Sequence, residues 1–447
     1  MTAWYDKSVF YHMYPLGMTG VPRVNLFASQ TESSAPMDEL FRWIPHLKRM
    51  NFTSIYIGPL FESVSHGYDT RDYRLVDRRL GTNRDFRDFV SACHENGIHV
   101  VIDGVFNHTG REFFAFRDIQ QNGSSSRYTG WYKGVSFDWQ SPLGDPFGYE
   151  AWRGIYELPC LNLQNPEVKS YLMDTVQFWV SEFDIDGIRL DCANVLDFSF
   201  MKELRALSRE LKPDFWLMGE VIHGEYARWV SSEMLHSVTN YEMHKSIYSA
   251  HNDHNYFELA HNVKRLQAVG RSLYTFLDNH DEDRIASKLA DRSHLKLIYT
   301  LLYTLPGIPS VYYASEWGIE GKRTSISDEN LRPRILPEEA AEKESSELSG
   351  HIRLLGAIHR DHSPLHGGEY REIFLTNRQY VFLRSSSDRE QLMIAANNDG
   401  REAALSIPCQ FQSAAELLSG RSYPVTDGRL NFVLPADSAF IFSLQSD

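Results

Sequence analysis

The first 365 residues alternate short apolar runs with stretches of helical periodicity, and no other feature of the chain constrains its fold as strongly. The apolar runs occupy residues 8–15, 52–60, 98–106, 186–190, 215–221, 237–242, 272–280 and 308–316. Helical patterns lie between them, as over 37–50 and 166–183, and Pro166 is a favourable first residue of a helix. Eight strands that are each followed by a helix predict an α/β fold, the (β/α)8 TIM barrel. A doubly wound open sheet is the alternative, but no GxGxxG motif follows an early strand to support it.

Two segments depart from this alternation. Residues 107–162 separate the third predicted strand from its helix and are too long for an ordinary loop, which indicates an inserted subdomain. After about residue 365, strand-like alternation continues without helices, as in RLNFVLPADSAFIFSL. We therefore predict a catalytic barrel over 1–106 and 163–365, an inserted subdomain over 107–162, and a C-terminal antiparallel β-sandwich domain over 366–447.

Charge and composition exclude several classes of partner. The formal net charge of −14 argues against binding of nucleic acid or of an anionic membrane surface. No apolar run is long enough for a membrane helix, and the first residues lack the basic and apolar segments of a signal peptide. Four widely spaced cysteines make a disulfide framework improbable: Cys93, Cys160, Cys192 and Cys409. We therefore expect a cytoplasmic monomer or homodimer with a neutral ligand.

Charged and polar side chains gather at the predicted carboxyl ends of four strands, which is where barrels hold their active sites. In chain order these residues are Asp103, Asn107, His108, Arg189, Asp191, Glu220, His280 and Asp281. They lie in otherwise apolar runs, where a charge is costly unless it is paired or used. A single Asp or Asn after a strand is most often a helix cap or a turn residue. Four strand ends that supply carboxylates, an arginine and two histidines to one rim favour a catalytic site.

Carboxylates in one cleft are what glycoside cleavage requires. One carboxylate attacks the anomeric carbon or activates water, and another group protonates the leaving oxygen. Arg189 and Asp191 are two residues apart on a predicted strand and therefore face the same side, so the guanidinium would keep Asp191 ionised as a nucleophile. Glu220 lies between the apolar segments WLMG and VI, and such dry surroundings raise the pKa of a carboxyl, as a proton donor requires.

Four segments of the chain resemble, in order and spacing, the conserved segments of the α-amylase family, glycoside hydrolase family 13. They are DGVFNH (103–108), DGIRLDCAN (186–194), GEVIH (219–223) and FLDNHD (276–281). LPCLN (158–162) resembles a fifth segment of the family, and HGYDTRDY (66–73) resembles the loop that supplies a stacking tyrosine. The resemblance extends over the barrel, the inserted subdomain and the C-terminal domain.

This resemblance implies a retaining reaction with a covalent β-glycosyl-aspartate intermediate. Asp191 matches the family nucleophile, Glu220 the general acid/base, and Asp281 the third carboxylate, which stabilises the transition state. The residues that match sugar-binding positions of the family are Tyr68, His108, Arg189, His280, Asp328 and Arg332. Asp103 resembles an aspartate that supports the site without reacting.

Within the family, YDTRDY, LPCLN and CAN are most similar to the cyclomaltodextrinase, neopullulanase and maltogenic amylase group. That similarity implies cleavage of α-1,4 glucosidic bonds, and of α-1,6 bonds as a second linkage, in short maltooligosaccharides or cyclic dextrins. Two features differ from the group. The barrel begins almost at once, so we expect no N-terminal β domain, and Val195 stands where the group usually has Glu. Transglycosylation of α-glucans and endo-cleavage of starch are the alternatives.

The sequence also bears on whether the chain binds a metal and on whether it is catalytic. Many α-amylases bind calcium through the Asn of the first segment and an Asp of the fifth, which correspond here to Asn107 and Cys160. A thiol is a poor ligand for a hard cation, so we expect no required cofactor and no metal ligands, with calcium as the alternative. A sugar-binding scaffold without activity stays open, as does a metallohydrolase that holds zinc through His108 and His280. Aromatic residues of the insert would supply either sugar stacking or core packing: Trp131, Tyr132 and Trp152.

Overall fold

The barrel consists of eight parallel strands in the computed structural model, which describes residues 3–27, 35–325 and 327–445. The strands are β1 (Phe10–Met13), β2 (Ser54–Ile57), β3 (His99–Gly104), β4 (Gly187–Leu190), β5 (Trp216–Gly219), β6 (Ser237–Val238), β7 (Tyr274–Phe276) and β8 (Ile308–Tyr312). Their order in the sheet is β6-β5-β4-β3-β2-β1-β8-β7. Thr239, directly after β6, forms a parallel bridge with Tyr274 of β7, so the sheet closes on itself. This closure confirms the predicted barrel and excludes the open sheet.

Helices surround the barrel, and each predicted apolar run contains one strand. The helices are Pro15–Met18, Ala35–Phe41, Ile44–Arg49, Asn83–Glu95, Phe114–Asn122, Pro166–Phe183, Phe198–Leu211, Tyr241–Asn252, Phe257–Arg265, Ile285–Lys288, Leu295–Thr304, Pro337–Lys343 and Glu347–Asp361. The single helix predicted over 37–50 is two helices, because Pro45 cannot donate a helical hydrogen bond and clashes with the preceding turn. In the described ranges, no helix has the length and apolar character needed to cross a membrane.

Aromatic and aliphatic side chains fill the barrel interior, and one of them, Tyr241, reaches the carboxyl rim. This inner layer consists of Phe10, Tyr56, Val101, Trp216, Met218, Tyr241, Tyr274, Phe276 and Ile308, each at most 9% exposed. The barrel is therefore a packed core and not a channel, and polar side chains collect at the carboxyl rim.

The segment between β3 and the helix Pro166–Phe183 leaves and re-enters the barrel at one point. His108 and Cys160 form an antiparallel bridge there, and the backbone N–H of Leu161 donates to the carbonyl of Asn107 over 2.9 Å. This segment contains the helix Phe114–Asn122 and a hairpin of Ala151–Trp152 with Ile155–Pro159. The predicted boundaries of the inserted subdomain stay a prediction.

The C-terminal part of the chain is an antiparallel β domain, as predicted. Its strands are β9 (Glu369–Leu375), β10 (Gln379–Ser385), β11 (Gln391–Asn397), β12 (Ala403–Pro408), β13 (Ser413–Glu416), β14 (Ser422–Thr426), β15 (Arg429–Leu434) and β16 (Ser438–Gln445). Their order is β9-β10-β11-β16-β13-β14-β15-β12. Because side chains alternate along a strand, Val381 and Leu383 of β10 pack into the core of this domain, whereas Tyr380 and Phe382 pack against the barrel.

Candidate active site

The three predicted catalytic carboxylates meet at the carboxyl rim of the barrel. Asp191 directly follows β4, Glu220 directly follows β5, and Asp281 lies in the loop after β7. All three line one cleft with a volume of about 360 Å³. The first two are brought to the rim by local geometry alone, because a residue that ends a barrel strand lies at that rim.

A buried arginine holds three carboxylates together beneath this cleft. The register of β3 and β4 sets Asp103 beside Arg189, whose Nη1 lies 2.9 Å from Asp103 Oδ1 and 2.7 Å from Asp191 Oδ1. Nη2 of the same side chain lies 3.0 Å from Glu220 Oε1. One oxygen of Asp191 and one of Glu220 lie within 4.8 Å of each other. The guanidinium therefore fixes the distance between the two carboxylates predicted to react.

The environments of Glu220 and Asp281 move their pKa values in opposite directions. Burial raises the pKa of Glu220, and the nearby charges of Asp191 and Asp281 act in the same direction, although Arg189 opposes them. Burial also acts to raise the pKa of Asp281, but His280 and Arg332 outweigh it and lower that pKa below its usual range. Glu220 is thus suited to hold a proton, and Asp281 to stay ionised.

Tyr68 and His280 form one wall of the site. The Tyr68 hydroxyl lies 3.1 Å from Asp103 Oδ2 and 2.5 Å from His280 Nε2, and the two rings are nearly parallel with centroids 5.6 Å apart. His280 Nε2 also lies 3.1 Å from Asp281 Oδ2. This wall links Asp103, below the cleft, to Asp281, at the edge of the cleft, and it supplies an aromatic face.

His108 offers a hydrogen-bond donor to a ligand. The Asn107 amide lies 3.2 Å from His108 Nδ1, and with that amide as the donor the ring hydrogen is on Nε2. Burial lowers the pKa of His108, so the ring is neutral at physiological pH. Nε2 has no hydrogen-bond partner among the described residues, and the ring lines the cleft. A buried donor without a partner is costly unless a ligand supplies the acceptor.

Asp328 and Arg332, from the long loop after β8, reach the same cleft. Arg332 Nη2 lies 2.7 Å from Asp328 Oδ2 and 3.0 Å from Asp281 Oδ1, and its Nε donates to the carbonyl of His280 over 3.0 Å. The pair is therefore part of the hydrogen-bonded network around a predicted catalytic carboxylate, rather than a solvated loop pair.

The site contains three further side chains that the sequence analysis does not single out, namely Tyr14, Tyr241 and Arg323. The Tyr241 hydroxyl lies 3.5 Å from Glu220 Oε1. The ring of Tyr14 stacks on His280 with centroids 5.6 Å apart, and Arg323 lines the cleft beside Asp328. Tyr14 and Tyr241 follow β1 and β6, so their position after a barrel strand is the sequence signal that marks them.

The aromatic residues of the insert divide between the two expected roles. Trp131 and Tyr132 are buried, with Trp131 Nε1 donating to Glu167 Oε2 over 2.9 Å and the Tyr132 hydroxyl 2.9 Å from that of Thr109. Trp152 instead lines the cleft, with its ring parallel to that of His108 at 6.1 Å. Core packing thus accounts for the first two, and sugar stacking stays a prediction for Trp152.

Two kinds of metal site are compatible with the sequence, one for zinc and one for calcium. In the described ranges, neither His108 nor His280 belongs to a group of three ligating side chains, so the zinc alternative lacks a ligand set. The single such group there is Asp191, Cys192 and Glu220, within the carboxylate centre itself. At the calcium position, the Asn107 amide lies 3.2 Å from His108 Nδ1, so that amide already has a protein partner.

Known proteins share this architecture. A family model described as the α-amylase catalytic domain matches residues 36–363. The cyclomaltodextrinase of Geobacillus thermopakistaniensis (strain MAS1) is 28% identical over 466 aligned positions, covering 99% of this chain and 78% of that protein. Neopullulanase 2 of Thermoactinomyces vulgaris is 32% identical over 371 positions, covering 80% of this chain and 62% of that protein. The solved structure of a debranching enzyme from Nostoc punctiforme has a TM-score of 0.82 at 27% identity and covers 99% of both chains.

The family match spans β2 to β8 and therefore includes every strand end that carries a predicted catalytic carboxylate. The same carboxylates line one cleft, around one arginine, in the three-dimensional structure. Sequence, fold and site thus agree that the chain belongs to the α-amylase family of glycoside hydrolases.

Proposed function

We propose that the protein is a retaining α-glycoside hydrolase that cleaves α-1,4 bonds, and α-1,6 bonds as a second linkage, in short maltooligosaccharides or cyclic dextrins. The observation that carries this proposal is the pair of Asp191 and Glu220, whose nearest oxygens lie within 4.8 Å. Retaining glycosidases hold their two carboxyl groups about 5–5.5 Å apart, whereas inverting enzymes leave about 6.5–9.5 Å for a water. An oxygen–oxygen approach within 4.8 Å, with both carboxylates on one guanidinium, favours the closer arrangement and direct attack by one carboxylate.

The hydrogen bonds around the three carboxylates support a separate role for each in this reaction. Arg189 occupies Oδ1 of Asp191, so Oδ2 is the oxygen that attacks the anomeric carbon from the face opposite the leaving group. Glu220 gives its proton to the departing glycosidic oxygen and later removes a proton from water, which releases the sugar from the aspartyl ester. Asp281, kept ionised by its neighbours, stabilises the positive charge that develops on the ring.

The configuration of the first product tests this assignment. We expect the α-anomer to appear first when a maltooligosaccharide is cleaved in an NMR tube, ahead of its spontaneous mutarotation, because two displacements at one carbon restore the original configuration. A β-anomeric first product would show a single displacement by water and would reject Asp191 as a nucleophile.

The pH dependence should report the buried acid. Because burial raises the pKa of Glu220, the protonated form persists to higher pH than for an exposed glutamate. We expect kcat/KM to fall as the pH rises through this raised pKa, since deprotonation removes the proton donor. The alkaline limb should disappear from the residual activity of Glu220→Gln, which has no proton to lose. An unchanged alkaline limb in that variant would assign the limb to another group.

Substrate length should follow from the shape of the cleft. Trp152, Ile155 and Leu158 of the insert hairpin line one side, and Asp328 with Arg332 lines another. The volume of about 360 Å³ is at the small end of ligand sites. We expect kcat/KM on a short linear or cyclic α-glucan to exceed that on soluble starch by about tenfold or more, compared per cleavable bond. Equal turnover of starch, with long internal fragments appearing first, would instead indicate an endo-acting amylase.

Glycosyl transfer is the second candidate function, and the apolar side chains of the cleft favour it. Ile155, Leu158 and Ile222 line the cleft together with Glu220, and apolar surface is better covered by a sugar ring than by water. Products longer than the substrate, formed from maltotriose at high concentration, would show transfer. Maltose and glucose alone would show hydrolysis.

A further inference from the structure

Cys192 contacts both reacting carboxylates through two different groups. Its backbone N–H donates to Glu220 Oε2 over 2.9 Å, and its Sγ lies 3.1 Å from Asp191 Oδ2. Its φ of 50° and ψ of 37° are in the left-handed region, which residues other than Gly and Asn seldom adopt. This backbone conformation turns the N–H toward β5 while the side chain stays beside its own neighbour Asp191.

We propose that Cys192 is a positioning residue that holds Asp191 and Glu220 in their reactive orientations at the same time. The inference rests on the function proposed above, because it assigns the attacking oxygen to Asp191 and the proton donor to Glu220. Arg189 orients each carboxylate through one oxygen, Asp191 Oδ1 and Glu220 Oε1. Cys192 contacts the other oxygen of each, so the two residues together restrict rotation of both carboxyl groups.

The thiol suits its contact with the attacking oxygen. Burial and the adjacent charges of Asp191 and Glu220 raise the pKa of Cys192, so the sulfur keeps its proton and donates at neutral pH. An S–H group is a weak donor, and it therefore aligns Oδ2 without strongly reducing its nucleophilicity. When Oδ2 bonds to the anomeric carbon and loses its charge, only a weak hydrogen bond is given up.

The backbone contact has a different consequence. The N–H of Cys192 donates to Glu220 Oε2, whereas Arg189 Nη2 and the Tyr241 hydroxyl face Glu220 Oε1. Both oxygens of Glu220 therefore have a hydrogen-bond donor beside them. This contact belongs to the main chain, so it persists in side-chain variants of residue 192. A substitution at this position therefore separates the thiol contact with Asp191 from the amide contact with Glu220.

A series of Cys192→Ala, wild type and Cys192→Ser tests the proposal through the acid limb of the pH profile of kcat on a maltooligosaccharide. Alanine removes the donor to the attacking oxygen, and the loss of one weak hydrogen bond should move the acid limb of the profile to higher pH by about half a unit. Serine restores a donor, and its limb should lie at or below the wild-type position. We expect KM to change by less than about twofold, since sugar contacts stay in place, and kcat of the alanine variant to fall about threefold to tenfold.

Cys409→Ser is the matched control, because Cys409 is a half-buried thiol of the C-terminal domain and its loss should leave the profile unchanged. Coincident acid limbs in the alanine, serine and wild-type proteins would overturn the proposal and reduce Cys192 to a space-filling residue. The same conclusion follows if serine shifts the limb as alanine does. If the alanine variant fails to fold, Cys192→Gly, which also lacks a side-chain donor and adopts the left-handed backbone readily, takes its place in the series with the same expected shift. Failure of the proposed function would look different: the wild type would not cleave an α-glucan at all, or Asp191→Ala would remain fully active.

Discussion

Replacement of Asp191 with alanine is expected to lower kcat on a maltooligosaccharide by about 10⁴-fold or more, because the attacking oxygen is lost and no other group can form the covalent intermediate. The substitution removes one of three carboxylates that contact Arg189, so the guanidinium keeps Asp103 and Glu220 as partners. The variant should therefore fold. Steady-state kinetics together with a thermal unfolding curve would separate loss of chemistry from loss of structure.

Azide provides a sharper check on the role of Asp191. In Asp191→Ala, the small anion can occupy the vacated space and displace fluoride from α-glucosyl fluoride in one step, from the face opposite the leaving group. Because one displacement inverts the carbon, the product should be the β-glucosyl azide. An α-azide, or no rescue at any azide concentration in a folded variant that still binds sugar, would contradict the assignment of Asp191 as the nucleophile.

Replacement of Glu220 with glutamine is expected to lower kcat by about 10²–10⁴-fold on unactivated glucans, because the leaving oxygen departs without a proton. The loss should be much smaller on α-glucosyl fluoride, since fluoride leaves without protonation. Glutamine keeps the shape of the side chain and can still accept the N–H of Cys192, so binding of sugar should persist. Kinetics on the two substrates, measured side by side, give the comparison.

The control is Glu258→Gln, because Glu258 is a carboxylate that pairs with Lys245 over 2.9 Å and does not line the cleft. Its kcat should stay close to that of the wild type. Equal losses on activated and unactivated substrates in Glu220→Gln would reject Glu220 as the acid.

Glu220→Ala with azide should yield the α-azide, because the anion then attacks the covalent intermediate formed by Asp191.

The barrel and two of its three carboxylates followed from the sequence alone, because they depend on local features of the chain. An apolar run between helical patterns forms a strand of the barrel. A residue directly after that strand must lie at the carboxyl rim, regardless of the conformation of the loops. Asp191 and Glu220 are such residues. The break at Pro45 was equally local and was missed only because the helical periodicity continues across it.

Other parts of the site were decided by tertiary structure. Arg332 reaches Asp281 across 51 positions of the sequence, and its placement depends on the path of the long loop after β8, which periodicity does not describe. The contact of the Cys192 thiol with Asp191 depends on a left-handed backbone that no residue type there predicts. The sequence by itself therefore determined the barrel and the residues that stand at its strand ends, through side-chain periodicity. Only the folded chain decided which loop side chains meet them, because long-range contacts depend on the conformation of everything between.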